Sequence, residues 1–107
     1  MPSFSAENEM IKNFLKEERV FDLWQKYCDL SGIYHSLVAN DVLTIAEYAD
    51  LCTCNNYIEA NMKLWSIFFR NPSLRKLTAL MDVLKKEKAH DNNRKLGRAI
   101  EQFCKLT

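Results

Sequence analysis

Cys28, Cys52, Cys54 and Cys104, with His35 and His90, are the side chains of this 107-residue sequence best suited to hold a metal or act as nucleophile and base. Cys52-Thr53-Cys54 could supply two ligands to a soft metal. A structural zinc centre needs four ligands at compatible spacing, and the remaining thiols and imidazoles offer no second close pair. A cysteine nucleophile needs an imidazole held beside it, and no local motif brings either histidine to a thiol. Gly32 and Gly97 stand alone, so no glycine-rich loop can cradle a phosphate. The expectation is no catalytic site, no metal and no cofactor. The opening Met1-Pro2-Ser3-Phe4-Ser5-Ala6-Glu7 has neither the basic start nor the apolar core of a secretory leader. The thiols are therefore expected to be reduced, in a cytoplasmic protein.

The elements that carry these residues read as helices. With 48% hydrophobic residues, two glycines and two prolines, the composition fits a single all-α domain rather than a turn-rich sheet or a disordered tail. Met10, Ile11, Phe14, Leu15, Phe21, Trp24 and Cys28 recur at threes and fours, which predicts an amphipathic helix from Glu7 to Cys28. Its stripe is interrupted at Lys16-Glu17-Glu18-Arg19, where a bend or break is expected. Asp29 or Ser31 can cap a second helix bearing Ile33, Tyr34, Leu37 and Val38. After the Asn40-Asp41 turn, Thr44 with Glu47 predicts a capping box, opening a third helix with Ile45, Tyr48, Ala49 and Leu51 as its apolar residues. Asn55 or Asn56 opens a fourth, Tyr57 to Arg70, with Ile58, Met62, Trp65 and Phe69 on one stripe and Leu64 and Phe68 beside it. Asn71-Pro72 closes it. Ser73 caps a fifth helix with the seam Leu74, Leu77, Leu80, Met81, Leu84. His90-Asp91-Asn92-Asn93 breaks the pattern before a sixth bearing Leu96, Ile100 and Phe103, in which Gly97 permits close packing. The expected architecture is a six-helix, largely antiparallel bundle. Most aromatic side chains fall on these seams, which makes them core rather than a stacking platform.

The net charge of +1 conceals an asymmetry. Residues 1–51 hold nine acidic and four basic side chains, a balance of −5, whereas residues 52–107 hold five acidic and eleven basic ones, +6. Such a dipolar chain suits association through complementary patches or electrostatic steering of an oppositely charged partner. No apolar run approaches the roughly 18 residues that would span a bilayer.

The stretch Leu37-Val38-Ala39-Asn40-Asp41-Val42-Leu43-Thr44-Ile45-Ala46-Glu47-Tyr48 resembles the second-to-third helix passage of caspase recruitment domains, members of the death-fold superfamily. The run from Ala60 to Pro72 is similar to that family's basic fourth helix. Leu74, Leu77, Leu80 and Leu84, followed by Lys95-Leu96-Gly97-Arg98-Ala99-Ile100, resemble its fifth and sixth. The likeness spans about residues 7–103; the connection before the last helix lacks the family's usual glycine, and Trp65 stands where an aliphatic residue is common. The resemblance implies a death-fold Greek-key helical bundle that recruits or regulates another caspase recruitment domain in apoptotic or innate-immune signalling, with self-association into oligomers or filaments. It also implies a basic face formed by Arg19, Lys26, Lys63 and Arg70 and an acidic face formed by Asp29, Asp41, Glu47 and Asp50. Glu47 and Asp29 serve equally well as helix-start residues. Two other readings stay open: a nucleic-acid module using Arg75, Lys76, Lys85, Lys86 and Lys88, and a viral or phage helical inhibitor.

Overall fold

The computed structural model describes residues 3–88 and 90–106; Met1, Pro2, Ala89 and Thr107, which enter the sequence readings above, lie outside the described residues. Its elements are α1 (Ser3–Lys16), α2 (Glu18–Asp22), α3 (Tyr34–Ala39), α4 (Ile45–Cys52), α5 (Tyr57–Arg70), α6 (Leu74–Lys85) and α7 (Asp91–Leu106). A π-turn at Leu23–Tyr27 extends α2, and a 3-10 turn at Ser31–Ile33 leads into α3. The chain is thus all-helical among the described residues, with seven α-helices instead of the expected six.

The extra helix comes from the expected break. Glu17 has φ −58° and ψ 133°, outside the helical region, so α1 ends and α2 begins within one residue. The break also changes which residue of the next turn is buried. Ile11, Phe14 and Leu15 are buried before it and Val20, Trp24 and Cys28 after it. Phe21, read as the next stripe residue, lies only half-buried with its ring edge-on to Trp65 at 5.3 Å, and Met10 is exposed. The Trp65 indole N–H donates to the Leu15 carbonyl (3.0 Å), satisfying one acceptor that the end of α1 leaves open.

Local chemistry sets most other boundaries. Thr44 and Glu47 form the capping box in full: the Glu47 N–H donates to Thr44 Oγ1 (3.0 Å) and the Thr44 N–H to Glu47 Oε1 (2.9 Å). Asn56 caps α5 by accepting from the Glu59 N–H (2.9 Å), and Ser73 caps α6 by accepting from the Lys76 N–H (3.3 Å). Asp41, at φ 59°, makes the left-handed turn between α3 and α4. Replacing Thr44 by alanine is expected to cost about 1 kcal/mol in urea unfolding. Glu47→Gln, which can still accept from the Thr44 N–H, leaves the midpoint unchanged.

One continuous core runs through the bundle. It includes Trp24, fully buried and edge-on to Phe68 at 5.4 Å, together with the fully buried Leu30, Leu37, Leu64, Leu77, Leu80 and Leu96. The helix α5 turns Ala60, Asn61, Leu64, Ile67 and Phe68 inward, while Ile58 and Met62 stay exposed. Its buried seam is therefore the one read as secondary, and Trp65 and Phe69 form a half-buried stacked flank (4.8 Å, 13°). Ile45, expected in the apolar set of α4, is 76% exposed, because it is the first residue after the cap and α4 turns Leu51 inward.

The α6 and α7 helices pack most extensively against each other. The expected pattern break at residues 90–93 is instead the start of α7, and Asn93 is completely buried. Its side chain clamps the peptide groups of Asp29: Oδ1 accepts from the Asp29 N–H (3.2 Å) and Nδ2 donates to the Asp29 carbonyl (2.9 Å). Asn61 Nδ2 donates to the Cys28 carbonyl (2.6 Å) and Asn92 Nδ2 to the Tyr27 carbonyl (3.2 Å). Three asparagines thus latch the non-helical turn after the π-turn onto α5 and α7.

Candidate interaction surface

Short α4 lies beside α5, and their outer faces enclose a groove of about 390 Å³. Glu47 and Asp50 form one wall; Lys63 and Arg70 line the other, with the Trp65 and Phe69 flank between them. Seven residues separate Lys63 from Arg70, two helical turns, so both project from the same side of α5. None of these four has an ion-pair partner among the described residues. Arg70 Nε donates to the Ser66 carbonyl (3.4 Å), and one Glu47 carboxylate oxygen is engaged by the capping box. The groove is therefore bordered by opposite charges that make no ion pair among the described residues.

The other four sequence-derived candidates are placed elsewhere. Arg19 faces Glu17 at 3.9 Å, and Lys26 pairs with Asp22 at 3.5 Å. Asp29 Oδ1 accepts from the Ser31 N–H (3.2 Å) and hydroxyl (2.7 Å), which makes it the organiser of the turn before α3. The carbonyls of Asn40 and Asp41 accept from the Arg75 guanidinium (3.3 and 3.0 Å). The groove thus combines two members of each expected face.

Internal bonding also consumes part of the basic C-terminal run. Besides Arg75, Lys85 pairs with Glu101 (2.6 Å), an interaction that holds the Glu101 carboxyl below its usual range. Arg94 pairs with Asp91 (2.7 Å) and donates to the carbonyls of Glu87 and Lys88. Arg75 and Lys85, two of the five cations of the nucleic-acid reading, thus have partners within the chain.

The four thiols differ in burial: Cys28 is buried, Cys54 and Cys104 are half-buried, and Cys52 is exposed beside Tyr48 and His35. Burial pushes Cys28 up to about 12, and its Sγ donates to the Asn92 carbonyl at 3.3 Å. Burial likewise raises Cys54 and Cys104. His35 meets the Tyr48 hydroxyl at 3.3 Å, and Tyr48 is itself raised, first by its hydrogen bond with the Cys52 thiol. Among the described residues no group of three or more His, Cys, Asp or Glu side chains could hold a metal ion, and no helix is long and apolar enough to cross a membrane. No family model, curated protein or solved structure matches this chain.

Sequence reasoning missed the buried asparagines. Their signal was present: Asn61, Leu64 and Phe68, like Asn93, Leu96 and Ile100, follow one another at helical seam spacing, which places each amide on the buried face.

Proposed function

We propose that this chain is a homotypic interaction domain of the caspase-recruitment type, which joins another domain of its kind in apoptotic or innate-immune signalling. The observation that carries this reading is the α4–α5 groove, with Glu47 and Asp50 on one wall, Lys63 and Arg70 on the other, and no ion pair made by any of them among the described residues. A surface bearing both signs is self-complementary: turned by a two-fold axis, a second domain presents its basic wall to the first domain's acidic wall, and the reverse contact follows. The broken first helix supports the resemblance to that family, whose first helix is commonly broken, and a Greek-key arrangement belongs to the same proposal.

Charge reversal tests it. Lys63→Glu with Arg70→Glu is expected to abolish concentration-dependent self-association in light scattering while leaving the thermal midpoint in place, since both side chains are exposed. Glu47→Lys with Asp50→Lys has the same effect on association but lowers the thermal midpoint, because lysine removes the acceptor of the Thr44 N–H. An equimolar mixture of the two double variants regains association, because each now supplies the wall the other lacks. Assembly of either reversed variant at the wild-type level, or a mixture as inert as its components, overturns the reading.

A further inference from the structure

A second surface lies away from that groove. Between α2 with its π-turn and the length of α7 runs a cleft of about 970 Å³, at the upper end of the range for ligand-sized sites. Its floor is apolar: Phe14 and Phe103 stack at 4.5 Å, with Val20, Leu23 and Ala99 beside them. Two of the molecule's most exposed large apolar side chains border it, Tyr27 at 61% and Leu106 at 83%.

The charges along the two walls differ. On the α2 wall Glu17 and Asp22 have basic partners, Arg19 and Lys26. On the α7 wall Lys95 and Arg98 are exposed, one turn apart, and neither has an ion-pair partner among the described residues. The cleft thus joins an apolar floor to a cationic edge. Its α7 wall, Asn92 to Leu106, measures about 21 Å at 1.5 Å per residue. That matches an α-helix of about four turns. The cleft is open to solvent rather than enclosed, which suits an occupant that buries one face and leaves the other in water.

We infer that the α2–α7 cleft is a docking site for an acidic amphipathic helix of a partner protein. The partner's apolar stripe lies on the Phe14 and Phe103 floor, and carboxylates on its flank, three or four residues apart, meet Lys95 and Arg98. An acyl chain would fill the same floor but would leave much of its length wet in an open cleft.

The test uses the full chain, isotope-labelled for NMR, and two synthetic four-turn peptides. Both carry leucines on one face; one has glutamates along the flank and the other lysines. The acidic peptide is expected to shift the amides of Tyr27, Lys95, Arg98 and Leu106, to weaken with added salt, and to bind at least tenfold more tightly than the basic one. Lys95→Glu with Arg98→Glu reduces that affinity at least tenfold, whereas Lys63→Glu with Arg70→Glu does not change it, so the result is independent of the α4–α5 groove. If the reversal variant loses its thermal transition, Lys95→Gln with Arg98→Gln replaces it, with the same direction expected. Equal binding of the two peptides, no binding of either, or shifts confined to the α4–α5 groove overturns the inference. Laurate shifting these amides where the acidic peptide does not also overturns it, in favour of an amphiphile.

Discussion

Asn93→Ala is expected to lower the unfolding free energy by about 3 kcal/mol. The side chain is fully buried and bonds both polar groups of the Asp29 peptide, joining the start of α7 to the turn that follows the π-turn. Alanine removes both bonds and leaves a buried carbonyl or amide without a partner, each such group costing roughly 1–3 kcal/mol. Asp29 is half-buried, so water recovers part of that loss and keeps the total below the sum. For a domain of this length the change lowers Tm by about 12 °C in a calorimetric scan. Asn93→Asp adds a signature that a loss of packing alone does not produce. An aspartate buried there is disfavoured in its charged form, so its folded-state pKa rises above the unfolded value. The resulting deficit is fully present at neutral pH, where the unfolded chain is ionised, and shrinks as pH falls through the folded pKa and then the unfolded one. Once protonated, the carboxyl can again donate to the Asp29 carbonyl. A wild-type-like Tm for Asn93→Ala, or a pH-independent deficit for Asn93→Asp, shows that the latch contributes nothing.

What the sequence made legible was what neighbouring residues decide among themselves. The Thr44–Glu47 box, the Asn56 and Ser73 caps and the Asn71-Pro72 stop are interactions within four residues, and each stands where its residues put it. Phase across an interruption is different. Glu17 breaks the helix, and in the turn that follows Val20 is buried while Phe21 is only half-buried, although Trp24 and Cys28 keep the buried places read for them. On α5 two stripes share the same three-and-four spacing, and periodicity alone cannot choose between Trp65 with Phe69 and Leu64 with Phe68; the position of α1, whose Leu15 carbonyl binds the Trp65 indole, decides it. The charge asymmetry of the two halves was readable by counting. Its placement was not, because Glu47, Asp50, Lys63 and Arg70 share a groove only through the packing of α4 beside α5. The same holds for the cleft: Lys95 and Arg98 read as one more solvated stretch of helix until α7 is laid beside α2.

Gly97→Val is expected to destabilise the chain by about 3 kcal/mol, and Gly97→Ala by about 1 kcal/mol, although alanine is the better helix former by roughly 1 kcal/mol. A Cβ at position 97 would sit 3.0 Å from Leu84 Cβ and 3.4 Å from the Lys85 backbone nitrogen. Neither atom can move by a side-chain rotation, so α6 and α7 must separate. That separation loosens the seam where Leu77, Leu80 and Leu84 of α6 lie within the same core as Leu96 and Ile100 of α7. Because the collision is with Cβ, combining Gly97→Ala with Leu84→Ala brings no relief: alanine keeps that atom, and the double variant carries the cavity cost as well. Urea titrations of the two single variants and the pair decide between this account and one in which helix propensity dominates, where Gly97→Ala would raise the midpoint. The displacement also reaches the surface. Lys95 and Arg98 flank Gly97 on α7, so moving the helix outward shifts the cationic edge of the cleft relative to α2. Gly97→Ala is therefore expected to weaken binding of the acidic peptide even under conditions where the variant is fully folded, whereas Thr44→Ala, of similar cost but on the far side of the α3–α4 turn, leaves that affinity unchanged.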